Sequence, residues 1–196
     1  MYQFPIKQTL KLILIGSSTG GPGHIDKILK GLKQNFEGTI IIAQHMSPHF
    51  IESFARQIGT ISPLEVHVVR DGMVLHPSSV YICSGECRIV ENHAQLVFNH
   101  QESHESVYTP DIDTLFSSAA LLPSSFKRLG VILTGIGEDG ARGALALFHS
   151  GGKCIFESEE SAIVYGMPRR ALELVPQADT GTIYEIVTAI ERFGEE

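Results

Sequence analysis

Apolar and polar positions along this chain fall into two alternating kinds of segment. Residues 10–15, 39–43, 64–69, 129–134 and 153–156 are short runs rich in apolar residues, as expected of strands buried on both faces. Residues 23–33, 50–58, 141–149, 168–174 and 183–193 instead carry apolar residues three and four apart, which predicts amphipathic helices. In the first of these, Ile25, Ile28, Leu29 and Leu32 share one face; in the second, Phe50 or Ile51, Phe54 and Ile58 point inward. Short strands alternating with helices predict an α/β fold, a doubly wound, mostly parallel sheet with helices on both faces. The segment 80–98 breaks the rhythm. Residues 88–91 and 95–98 flank Asn92-His93-Ala94, which predicts an antiparallel hairpin attached to the sheet. Residues 99–110 are polar and read as an excursion loop.

Composition narrows the class. A chain of 196 residues without repeats or low-complexity linkers is expected to form one domain, residues 1–196. The formal net charge is −7, and the basic residues form nothing longer than pairs such as Lys127-Arg128 and Arg169-Arg170. That argues against nucleic acid as a partner, because phosphate binding needs a concentrated positive face. No apolar stretch approaches the ~20 residues that span a bilayer, and the N-terminus lacks a secretion signal. The three cysteines, Cys83, Cys87 and Cys154, are odd in number and sparse, which suits reduced thiols in the cytoplasm. A cytoplasmic monomer that does not insert into membranes is expected.

The chemistry is concentrated where strands end. The first apolar run stops in Gly16-Ser17-Ser18-Thr19-Gly20, a G-x-S-x-G frame with Ser18 at its centre. This suits a strand turning sharply into a helix with a hydroxyl held at the bend, and Pro22 fits the first helical turn. A second run ends in Gln44-His45, and a third passes into Gly135-Ile136-Gly137-Glu138-Asp139-Gly140. Ligands of open parallel sheets bind outside the carboxyl ends of the strands. Ser18, His45 and Asp139 are therefore expected at one rim. A serine hydroxyl needs a base to become a nucleophile. Imidazole can take that proton and return it to a leaving group, and a carboxylate fixes the ring's tautomer and orientation. Backbone N–H groups of the Gly20-Gly21 helix start, with Thr19, and of the Gly135–Gly137 turn can hold an oxyanion.

Competing residues and functions must be weighed. Ser17 neighbours Ser18 but lies off the centre of the frame, and Glu138 competes with Asp139. His149 would restore a Ser-Asp-His order, but roughly ten residues of helix put it ~15 Å from Asp139. A non-catalytic adaptor that binds a receptor or a nucleotide is the rival function. Against nucleotide binding, the glycines do not spell G-x-G-x-x-G and no Gly-Lys-Ser/Thr follows them. Cys83 and Cys87 with His93, His100 and His104 match no zinc spacing well. No metal or cofactor is expected.

Four ordered blocks resemble the catalytic domain of the CheB family of chemotaxis receptor protein-glutamate methylesterases. They are Ile15-Gly-Ser-Ser-Thr-Gly-Gly-Pro22, Gln44-His45-Met46, Leu133-Thr-Gly-Ile-Gly-Glu-Asp-Gly-Ala141 and Gly166-Met-Pro-Arg169. The resemblance implies Ser18 as nucleophile, His45 as base, Asp139 as third member and the Ile136 N–H as oxyanion donor. It implies hydrolysis of glutamyl γ-methyl esters on chemoreceptors with release of methanol, and deamidation of receptor glutamines by the same acyl chemistry. Tyr165 and Met167 read first as packing residues and Arg169 as part of a solvated helix face, while their place in or beside the family blocks makes them, with Met46, candidates for lining the substrate cleft. Two departures stand out. The family's R-x-R-P-S-V-D segment reads Val107-Tyr-Thr-Pro-Asp-Ile-Asp113, without either arginine. The first strand begins near Leu10, so no receiver domain is expected ahead of it.

Overall fold

The computed structural model describes residues 10–93, 95–101 and 109–195. The elements in chain order are β1 (Lys11–Ser17), α1 (Gly21–Gly31), β2 (Thr39–Gln44), α2 (Pro48–Gly59), β3 (Glu65–Val68), β4 (Ser79–Ile82), β5 (Glu86–Asn92), β6 (Gln95–Gln101), α3 (Ile112–Ala120), β7 (Lys127–Ile132), α4 (Ala141–His149), β8 (Lys153–Glu157), α5 (Met167–Leu174), β9 (Asp179–Gly181) and α6 (Ile183–Glu195). Seven strands form one sheet in the order β3-β4-β2-β1-β7-β8-β9, every pair parallel. The hairpin β5–β6 is a separate antiparallel pair.

Alternation along the strands divides the core. Leu12 and Leu14 of β1 point to the side covered by α3, α4, α5 and the hairpin. Ile13 and Ile15 point to the side covered by α1, α2 and α6. Successive strand residues face opposite ways, so β1, buried on both faces, carries an unbroken apolar run. Among the described residues, no helix is long and apolar enough to cross a membrane.

The structure departs from the sequence expectation in three places. Residues 79–82 form a parallel strand inside the main sheet, between β3 and β2, rather than the start of the hairpin region. All four of its residues are buried, but four positions are too few to show a period. Helix α3 follows the polar segment directly. Its Ile112, Leu115, Phe116 and Ala119 have helical spacing and are buried, and the Asp111 side chain caps it by accepting the Thr114 N–H at 2.6 Å. The short strand β9 closes the sheet edge. Of the expected excursion, 99–101 belong to β6 and 102–108 lie outside the described residues.

Strand order makes β1 the switch point. The chain winds outward from β1 through β2 in one direction and through β7 in the other. The crevice at the carboxyl ends of β1, β2 and β7 is where such sheets hold ligands.

Candidate active site

Register places two of the expected residues side by side. Ser17 is paired with Gln44 across β1 and β2, so Ser18 and His45 are the next residues on adjacent strands. The His45 N–H donates to the Ser17 carbonyl at 2.9 Å, and the Ser18 N–H donates to the Thr134 carbonyl at 3.0 Å. Ser17 is buried and its hydroxyl donates to Gln44 Oε1 at 2.6 Å. Ser18 sits at the rim, half-buried. The amide Nε2 of Gln44 donates to the Ser18 and His45 carbonyls, each at 2.9 Å. One buried glutamine thus spans the backbones of both residues, and the Ser17 hydroxyl fixes which way its amide points.

The turn after Ser18 and the turn it packs against each need a glycine. Gly20 caps α1 with φ of +86°, a left-handed conformation that costs other residues energy. Gly135, in the turn after β7, lies so close that a Cβ there would come within 2.8 Å of the Ser18 Cβ and collide with the Met167 sulfur. The two turns are pressed directly together.

Asp139 reaches His45 from the far side of β1. Its Oδ2 lies 2.7 Å from His45 Nε2. The same carboxylate accepts the Ile112 N–H at 2.9 Å and the Asp113 N–H at 3.0 Å, the first amides of α3. Those donors and the helix dipole favour negative charge there. Asp113 in turn accepts the Gly143 N–H of α4 at 2.6 Å. Burial, with the charges of Asp139 and Asp111, pushes the Asp113 carboxyl above its ordinary range despite that N–H.

A second buried carboxylate lies beneath the rim. Glu157, at the end of β8, is 0 % exposed. It accepts the Thr134 N–H at 2.8 Å and the Ser161 hydroxyl at 2.7 Å, and pairs with His24 Nδ1 at 3.0 Å. Burial alone would raise its pKa. Its donors His24, Ser161 and Thr134 outweigh that and hold it below the ordinary carboxylate value. Sequence reasoning missed Gln44 as a bridge, Glu157 and His24. Gln44 and Glu157 were visible as polar residues ending apolar runs.

The remaining candidates separate. Ile136 is 63 % exposed at the rim, and Thr19 is exposed beside Ser18. Met46 is half-buried against the apolar core, its N–H on the Thr109 carbonyl at 3.1 Å. Tyr165 is half-buried, bridged to Gly135. Met167 is 0 % exposed: the first residue of α5 faces the sheet and fills the space that Gly135 leaves open. Arg169 lies on the solvent side of α5 beside Glu173, while its neighbour Arg170 contacts Glu138 at 3.2 Å. Glu138 therefore faces Arg170, whereas Asp139 contacts His45. His149 is exposed at the end of α4. Cys83 and Cys87 are buried free thiols, His100 meets the Ser84 hydroxyl at 3.0 Å, and His104 lies outside the described residues. Among the described residues, no three metal-ligating side chains gather to hold an ion.

The rim of this α/β protein thus carries a hydroxyl, an imidazole and a carboxylate hydrogen-bonded to it, the groups that nucleophilic acyl transfer requires. Comparison with known proteins is more specific. Residues 13–190 match the family described as CheB methylesterase, and the chain belongs to that family. It is 36 % identical over 179 residues to protein-glutamate methylesterase/protein-glutamine glutaminase 1 of Myxococcus xanthus, covering 87 % of this chain and 52 % of that protein. It is 36 % identical over 166 residues to the protein-glutamate methylesterase/protein-glutamine glutaminase of Thermotoga maritima, covering 83 % and 48 %. The chain thus spans about half the length of these relatives. The crystal structure of the Thermotoga maritima CheB methylesterase catalytic domain superposes with a TM-score of 0.86 at 33 % identity, covering 94 % of this chain and 98 % of that one.

Proposed function

We propose that this chain hydrolyses glutamyl γ-methyl esters on the cytoplasmic domains of chemoreceptors, with Ser18 as nucleophile. The names of its relatives support a protein glutamate methyl ester as substrate, and the four-block family resemblance supports the chemoreceptor as its carrier. The observation that carries the chemistry is the 2.7 Å contact between His45 Nε2 and Asp139 Oδ2, on a histidine one residue past the Ser17–Gln44 pair. With Nε2–H donated to Asp139, Nδ1 is the nitrogen that takes the Ser18 proton.

In the first half-reaction Ser18 Oγ bonds to the ester carbonyl carbon as its proton passes to His45. The backbone N–H groups of Ile136 and Thr19 receive the negative oxygen. Collapse breaks the carbon–methoxy bond, and His45 returns the proton to release methanol. Water then attacks the acyl-enzyme, its proton going to His45 and from there to Ser18. A glutamine side chain enters the same cycle with ammonia as leaving group, which is the glutaminase activity. Asp139 keeps its charge throughout and stabilises the imidazolium. Met46 and Tyr165 flank the cleft.

The test is methanol release from a methyl-esterified receptor cytoplasmic domain. The parent protein releases methanol, and Ser18→Ala, folded, lowers the rate by at least about 10³-fold. Near-parent turnover by Ser18→Ala would overturn the assignment.

A further inference from the structure

We propose that Glu157 is a positioning residue for this reaction: through Thr134 it holds the Ser18 turn and the oxyanion turn in one fixed arrangement, with His24 as its buried partner. The inference rests on Ser18 being the nucleophile.

Glu157 cannot meet substrate, since it is fully buried. A carboxylate in such a place is costly unless its oxygens are hydrogen-bonded. The residues before it in β8, Cys154, Ile155 and Phe156, are apolar and buried, so an apolar side chain would fill the site at less cost. The charge instead gathers donors from three segments: His24 of α1, Ser161 of the loop after β8, and the backbone N–H of Thr134. The Ser161 oxygen also accepts the Ile183 N–H at the start of α6.

Thr134 is where both working turns meet. Its carbonyl accepts the Ser18 N–H. Its hydroxyl donates to the Thr19 carbonyl at 2.9 Å and accepts the Val164 N–H at 2.9 Å. The next residue, Gly135, packs on Ser18 and donates its N–H to the Val164 carbonyl at 3.0 Å. Thr134 lies beyond the end of β7 at Ile132, so its N–H is held by the Glu157 carboxylate rather than by a ladder bond. A shift of Thr134 would move the nucleophile and the oxyanion donors together, and a misplacement of about 1 Å costs acyl transfer roughly 10²-fold. Meanwhile His24 ties the carboxylate to the helix that starts at the Ser18 turn.

The experiment compares kcat and KM for methanol release, with thermal unfolding measured in parallel, each variant being assayed well below its melting temperature. Glu157→Ala lowers kcat roughly 30- to 100-fold with KM within about threefold of parent. Glu157→Gln stays within about threefold of parent, because its amide oxygen still accepts the Thr134 N–H. Thr134→Val lowers kcat about tenfold, and Thr134→Ser restores it. Folded Glu157→Ala at parent kcat overturns the proposal, as does Glu157→Gln falling as far as Glu157→Ala. If Glu157→Ala does not fold, the threonine pair decides: Thr134→Val at parent kcat overturns it. Ser18→Ala is run alongside. Turnover by that variant removes the nucleophile reading and this inference with it, whereas an inactive Ser18→Ala beside a fully active Glu157→Ala removes this inference alone.

Discussion

Asp139 and Asp113 cap each other's helices. Asp139, two residues before α4, accepts the first two amides of α3, and Asp113, in the first turn of α3, accepts the Gly143 amide in the first turn of α4. The two helices begin together, with their positive ends adjacent and two carboxylates between them. Like poles repel, and the carboxylates offset that.

Asp113 is therefore expected to tolerate loss of its charge but not of its oxygen. Its folded pKa lies above the ordinary value, so the native state holds that proton more tightly than the unfolded chain does. Stability from this residue is greatest below the unfolded pKa of about 3.9 and falls as pH rises through the folded value. Asp113→Asn keeps the Gly143 contact and should be at least as stable as parent at pH 7, with the difference vanishing near pH 3. Asp113→Ala loses the cap and should be less stable by about 1 kcal/mol. Urea unfolding at both pH values checks this; Asn destabilising as much as Ala would refute it.

Asp139→Asn should damage two things at once. An amide offers one acceptor oxygen where the carboxylate offers two to three donors. The kcat should fall roughly 10³- to 10⁴-fold, and stability by about 1–3 kcal/mol. Methanol release and urea unfolding report the two effects separately.

Arg128 offers the opposite experiment. It is buried, and its guanidinium donates to the Ala119 and Leu122 carbonyls at the end of α3 and to the Ser150 carbonyl at the end of α4. It serves the negative ends of the helix pair, away from the rim. Arg128→Met should lose about 2–4 kcal/mol of stability, while kcat at low temperature stays within about twofold of parent. A large loss of kcat in the folded variant would contradict this separation.

Glu157 gives a signature in acid. Its folded pKa is depressed, so its contribution to stability is complete above the unfolded pKa of about 4.3 and lost as pH falls through the folded value. The unfolding free energy of parent minus that of Glu157→Gln should be constant from pH 7 to about 5 and shrink below about 4. A difference unchanged down to pH 3 would mean that the buried carboxyl is not ionised.

The layered fold and the three rim segments were legible because they rest on local signals. Apolar runs mark β1, β2, β7 and β8, and each of the first three ends in a residue with chemistry. Strand β4 was not legible, since four buried positions carry no period. Helix α3 carried the right spacing but follows a polar stretch containing Pro110. The buried bridges were harder still: Gln44 touches residues 26 positions away and Glu157 pairs with His24 across 133. Only register and strand order bring such groups together. Met167 belongs with these: its block marks the region, but only the tertiary contact with Gly135 shows how deeply it is buried.

The double duty of Asp139 gives the molecule a built-in gauge. The amide hydrogen of Ile112 is held by the same Asp139 oxygen that contacts the imidazole, and that of Asp113 by the other oxygen of the carboxylate. Their exchange with deuterated solvent therefore tracks the fraction of molecules whose acid has left its post, and on the proposed mechanism any sequence change or bound partner that speeds that exchange should lower turnover without touching Ser18.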